Sequence, residues 1–171
     1  MAAKLNQPEY ELIEKDGKIE IREYSKYVIA KTSIKQIEMN QNNNMFRTLA
    51  SYLFGSNSKN QSIPMTAPVI TQSTNTNYDM IFFMLDAQKP EDLPTPNDQR
   101  ISLEQMEIGK TISISFGMWA TEKRIQNYKE KLDNYINQKK IQVQSSLMVA
   151  QYNSPWALPP FRKNELLYTI E

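Results

Sequence analysis

Hydrophobic positions along the chain change period several times, and each change marks an element. Ile112, Ile114, Phe116 and Met118 alternate with Ser113, Ser115 and Gly117, the period-two pattern of a strand with two distinct faces over 111–119. Met45, Leu49 and Leu53 fall at i, i+4 and i+8, with Phe46 and Ala50 widening the stripe; this predicts an amphipathic helix over about 44–54. The Asn-rich run 40–44 before it can supply an N-cap. Ile125, Tyr128, Leu132, Tyr135 and Ile136 make a second helical stripe, with Thr121 placed to cap it. Lys15-Asp16-Gly17 between 10–14 and 18–24 reads as a hairpin turn, because Asp-Gly tolerates positive φ. Further strands are predicted at 27–34, 69–71, 78–85, 101–105, 147–152 and 165–170. Residues 1–8 read as a flexible lead and 9–171 as a single domain.

One stretch breaks both periods. Ile63-Pro64-Met65-Thr66-Ala67-Pro68-Val69 places apolar residues at period two, yet its two prolines remove two backbone donors. Neither a regular helix nor a central strand runs through it. It follows Tyr52-Leu53-Phe54-Gly55-Ser56-Asn57, where glycine punctuates a helix end. So a helix stops, a polar loop turns, and a proline-stiffened segment returns to the core.

The order of elements is strands, helix, strands, repeated once, which suggests two similar α+β halves. Composition narrows the chemistry. The chain has 171 residues, 40% hydrophobic and 23% charged, as in a globular protein. Its net charge of +1 comes from intermingled acids and bases, without the basic face that nucleic acid requires. No apolar run approaches the ~20 residues that span a bilayer. The first eight residues lack a secretion signal's apolar core, so a cytoplasmic location is expected; separately, the chain is expected to be a monomer. There is no cysteine and no histidine. Disulfides, thiolate nucleophiles, iron–sulfur ligation and any Ser-His-Asp or Cys-His arrangement are therefore excluded. No Gly-rich phosphate loop is present among four glycines.

Several short motifs occur in order. Tyr10-Glu11 with Ile19-Glu20-Ile21-Arg22-Glu23-Tyr24, Tyr52 to Asn57, the proline segment, Pro94-Thr95-Pro96-Asn97-Asp98, Phe116-Gly117-Met118-Trp119, and Pro155 to Pro159 followed by Arg162-Lys163-Asn164-Glu165-Leu166 span nearly the whole chain. Together they resemble the SOUL / heme-binding protein family. The resemblance implies a distorted antiparallel β-barrel flanked by two α-helices, built from pseudo-duplicated halves, a fold shared with GyrI-like effector domains.

It also implies non-enzymatic binding of heme or another porphyrin, as a carrier or buffer, in a shallow apolar cleft beside the first helix. Met45, Phe46, Leu49, Ala50 and Leu53 would supply the wall. Arg47, Lys59, Arg162 and Lys163 would face the propionates. With no histidine, the expected mode is apolar contact and propionate pairing without His ligation. Two alternatives share the fold: a small-molecule sensor-like module, favoured if Glu165 stands in an open cleft, and a protein-interaction module with a vestigial cleft. Glu165 more simply pairs with Arg162 or a backbone donor. Trp119, Trp156 and Phe161 either edge a pocket or pack beneath the proline-rich loop.

Overall fold

The computed structural model describes residues 4–36, 44–153 and 157–171. Residues 40–43 of the expected capping loop, and Trp156, lie outside the described residues. In chain order the elements are β1 (Tyr10–Asp16), β2 (Ile19–Lys35), α1 (Met45–Leu53), β3 (Val69–Ser73), β4 (Asn77–Phe83), β5 (Ile101–Phe116), α2 (Glu122–Lys139), β6 (Met148–Gln151) and β7 (Asn164–Thr169). The chain forms two compact units, Met1–Pro8 with Lys26–Glu107, and Glu9–Ser25 with Ile108–Glu171. Strands β2 and β5 contribute residues to both. The succession strand, helix, strand, strand occurs twice, as β2-α1-β3-β4 and as β5-α2-β6-β7.

In the first unit β4 lies between β2 and β3, antiparallel to both. Ile29 faces Phe83 and Lys35 faces Asn77 on one side, and Val69 faces Phe82 on the other. This register puts Ala30 opposite Phe82, on the sheet face that α1 covers. Leu49, Tyr52 and Leu53 of α1 pack with Val28, Ala30, Phe82, Met84 and Ile101. Leu49 and Leu53 are fully buried, each worth about 2 kcal/mol of transfer free energy. Asn44 stands at the N-cap of α1, but its side chain makes no capping bond. The proline segment is anchored at both ends: Ile63 N–H donates to Leu53 O at 2.8 Å, and Ala67 N–H donates to Asn6 O at 2.9 Å. Thr66 Oγ1 donates to Phe83 O at 2.7 Å, and the Ala67–Pro68 peptide is cis.

In the second unit β1 and β2 form the expected hairpin, pairing Tyr10 with Tyr24 and Asp16 with Ile19. Gly17 holds the turn at φ 60°. Strand β7 lies between β5 and β6. Ile112, Ile114 and Phe116 pack with Leu132, Ile136, Leu166, Tyr168 and Ile170. Thr121 Oγ1 accepts from Arg124 N–H at 3.2 Å, so the predicted cap of α2 forms. Phe116 stacks on Tyr128, with ring centres 4.6 Å apart. Among the described residues no helix is long and apolar enough to cross a membrane.

Two predicted breaks are absent. The strands expected at 18–24 and 27–34 are one continuous β2, and those at 101–105 and 111–119 belong to one β5. Ser25-Lys26 and Met106 to Lys110 between them hold strand backbone, with Gly109 at φ 69° absorbing a local irregularity in β5. The apolar face expected to include Met118 ends at Phe116. Met118 takes φ 66° and turns outward, because the strand has already finished.

Candidate functional site

Two sequence motifs of the first unit find each other. The loop after α1 and the loop 94–98 zip together: Ser58 N–H donates to Thr95 O at 2.9 Å, and Asn97 N–H donates to Ser56 O at 3.1 Å. Thr95 N–H donates to Ser58 Oγ at 3.0 Å. Asn57 organises the turn from inside. Its amide donates to Tyr52 O and Gln61 O, and its Oδ1 accepts from the backbone of Lys59 and Gln61. Buried Tyr52 donates to Pro94 O at 2.7 Å. Burial pushes the Tyr52 phenol up to about 12.

This zipper leaves an open cleft of about 610 Å³ between the exposed side of α1 and residues 97–101. That volume lies within the ~300–1,000 Å³ usual for small-molecule sites. Arg47, Thr48, Ser51 and Tyr52 line it from α1, with Asn44 and Ser56 at the two ends of the helix. Asn97, Asp98, Gln99, Arg100 and Ile101 line the opposite wall. Arg100 is held by a fork to Asp98, with Nε to Oδ1 at 3.0 Å and Nη2 to Oδ2 at 2.7 Å. The Arg100 hydrogen bonds hold the Asp98 carboxyl below its ordinary value. Arg47 is exposed and makes no ion pair among the described residues. Tyr52 and Ile101 are 0% and 7% exposed and bring little apolar surface to the lining; the other side chains are hydroxyls, amides and charges.

Of the wall and propionate residues expected from the sequence, only Arg47 lines this cleft. Met45, Leu49, Ala50 and Leu53 are buried, on the face that α1 turns to the core. Phe46 is half-exposed, tilted against Phe82 at 5.5 Å between ring centres. Lys59 is exposed on the loop after α1. Arg162 and Lys163 belong to the second unit. Arg100, Asn97 and Ser51 were not anticipated. For Asn97 the signal was the Pro-x-Pro-Asn-Asp motif, which ends two residues before Arg100 and whose partner loop only the fold reveals; Ser51 on α1 carried none.

The second unit contains a buried polar cluster. Arg22 and Glu165 are 3% and 1% exposed. Arg22 Nη1 and Nη2 donate to the Glu165 carboxylate at 3.1 and 2.5 Å, and Nη1 also donates to Tyr24 Oη at 3.0 Å. Glu20 accepts from the same guanidinium, and Tyr152 donates to Glu165. Tyr10 stacks over the guanidinium, its ring centre 4.3 Å from Cζ. Burial pushes Tyr24 up to about 12 and Tyr152 further. The partner of Glu165 is thus Arg22, not Arg162. Arg162 instead lies over the Trp119 ring, 4.3 Å from its centre. Glu165 does not stand in an open cleft, which removes the feature that would have favoured a sensor of cationic ligands.

Comparison with known proteins decides the family. The model of the SOUL heme-binding proteins matches residues 5–169. The chain belongs to the SOUL heme-binding protein family. It is 29% identical over 164 residues to heme-binding protein 1 of Xenopus laevis, covering 91% of this chain and 85% of that protein. Solved structures share the fold at far lower identity. An uncharacterized conserved protein from Listeria innocua superposes with a TM-score of 0.69 at 9% identity, covering 90% of this chain and 92% of its own. A hydrolase from the same organism gives 0.64 at 9% identity with the same coverages. The EcmrR C-terminal domain gives 0.65 at 9%, covering 90% and 96%. These likenesses show the fold alone, an α+β antiparallel β-barrel type with two helices.

A family ligand such as heme makes two demands, cations for its carboxylates and apolar surface for its ring. The cleft beside α1 meets the first with Arg47, Arg100 and neighbouring hydroxyl and amide groups. It meets the second poorly, because Tyr52 and Ile101, its aromatic and aliphatic residues, are buried in the core. For iron it offers no ligand among its described residues: it has no methionine, Tyr52 Oη is committed to Pro94, and Asp98 to Arg100. No cluster of three or more metal-ligating side chains occurs among the described residues.

Proposed function

We propose that the chain binds a tetrapyrrole reversibly, as a carrier or buffer and not as an enzyme, with the carboxylate edge of the macrocycle held in the cleft beside α1. The observation that carries the reading is the cleft itself: two guanidinium groups face a space of small-molecule size in a member of a heme-binding family. Arg47 is the primary contact, because no carboxylate among the described residues pairs with it, whereas Arg100 is paired with Asp98. Hydroxyls at Ser51 and Ser56 and amides at Asn97 and Gln99 complete a donor set suited to carboxylates, the Thr48 hydroxyl being already donated to Asn44 O. The ring would lie along the outer side of the helix. Binding by charge and surface needs no axial ligand, which agrees with a chain that has no histidine. When bound, heme would supply its own redox and ligand chemistry; the protein's part is to hold and orient the carboxylates.

The test is steric. Ser51→Trp should fill the cleft and abolish hemin binding while circular dichroism stays native. Retained binding in Ser51→Trp would move the ligand elsewhere on the molecule.

A further inference from the structure

Two loops of the second unit, 117–121 and 157–163, carry four of the ten large hydrophobic side chains that stand exposed among the described residues. Met118 is 39% exposed, Trp119 46%, Leu158 65% and Phe161 75%. None of them takes part in the cleft beside α1.

The loops are fastened to one another, so the four side chains share one tip. Asn164 Nδ2 donates to Met118 O at 2.8 Å. The Arg162 guanidinium lies flat over Trp119, and Arg162 O stands 3.5 Å from the position of a Cβ on Gly117. Pro159 and Pro160 fix a single 3-10 turn, closed by Arg162 N–H to Pro159 O at 3.1 Å, and this turn presents Phe161 outward. Little ordering entropy remains to be lost when such a tip docks.

Charge says what it docks on. Lys123 and Arg124 open α2 directly after the first loop, and exposed Lys163 ends the second, while Arg162 is buried between Trp119 and Ala157 O and adds no charge to the rim. Across both loops and the first turn of α2 the only carboxylate is Glu122. Apolar and aromatic side chains at a rigid tip, rimmed by lysine and arginine, suit the boundary between lipid headgroups and acyl chains. Long cationic side chains reach back to the phosphates while the rings enter. A stable protein interface would ask for roughly 800 Å² of complementary surface per partner, a broader face than four side chains on two loops.

We propose that this tip docks the protein on the surface of an anionic lipid bilayer. The test is co-sedimentation of the full chain, without added porphyrin, with vesicles of phosphatidylcholine alone and of phosphatidylcholine with phosphatidylserine. Binding is expected only to the serine-containing vesicles and should weaken with salt. Phe161→Asp and Lys163→Glu should each lower the partition coefficient at least ~tenfold. Phe54→Asp, at an equally exposed aromatic of the first unit, should leave it unchanged. In a Trp156→Phe background the remaining Trp119 emission should shift to the blue on adding anionic vesicles. No binding to anionic vesicles, or wild-type binding by Phe161→Asp, would overturn the proposal. So would a concentration-dependent dimer that Phe161→Asp dissolves, which would assign the tip to self-association.

Discussion

At the scale of single residues, Arg22 has the most to lose. A guanidinium 3% exposed has traded water for Glu165, Glu20, Tyr24 and the Tyr10 ring. Removing one member of such a pair leaves the other charge buried alone, at a cost of about 3–5 kcal/mol. Arg22→Ala should therefore lower the thermal midpoint sharply, whereas the double replacement Arg22→Met with Glu165→Leu should recover most of the loss. A drop within a degree or two for Arg22→Ala would show that the pair contributes little. The surrounding tyrosines add a pH dependence. Burial raises Tyr24 from 10.0 to about 12, and raises Tyr168 likewise, with its hydrogen bond to Asp133 adding to the effect. A raised folded-state value means that stability is fully present below pH 10 and is lost as pH rises toward 12. The thermal midpoint should thus hold up to about pH 10 and then fall, and tyrosinate absorbance should show these phenols ionising late. A midpoint flat through pH 11.5 would contradict the account.

At the scale of elements, most of the regular structure was legible in hydrophobic period. Leu49 and Leu53, or Ile112 and Ile114, announce their faces because one side of each element is buried. The joins were less legible. Ser25-Lys26 reads as a break because it is polar, and the second break falls at Gly109, a residue that often ends a strand, yet a long strand can cross from one environment to another without ending. Met118 shows the converse: its period matches the strand, but its backbone has left it. Pairings across large sequence separations, such as Arg22 with Glu165, leave no local trace, and neither did the meeting of the Asn57 turn with the 94–98 loop. The stripe chosen as a ligand wall was the helix's core face, since apolar period marks what a helix hides. Arg47, a lone cation on the other face, was the readable part of the cleft. One element boundary invites improvement. Lys140 closes α2 in the left-handed region at φ 55°, where a side chain is strained. Lys140→Gly should stabilise the protein by about 0.5–1 kcal/mol, seen as a raised denaturation midpoint; an unchanged or lowered midpoint would mean that the lysine's interaction with the helix end outweighs the strain.

At the scale of the whole molecule, the two units repeat one order of elements but carry different polar features. The first opens a cleft lined by Arg47 and Arg100, while the second buries its charges as Arg22 and Glu165. That division is the ground for proposing that the ligand binds beside α1. The most direct measurement is a Soret titration of the protein with hemin, repeated with metal-free protoporphyrin and with Arg47→Ala. The account predicts saturable one-to-one binding, similar for both porphyrins because the cleft offers no iron ligand among its described residues, and weakened about tenfold by Arg47→Ala through loss of a charged hydrogen bond. Non-saturating absorbance changes, or binding of hemin alone that ignores Arg47, would contradict it.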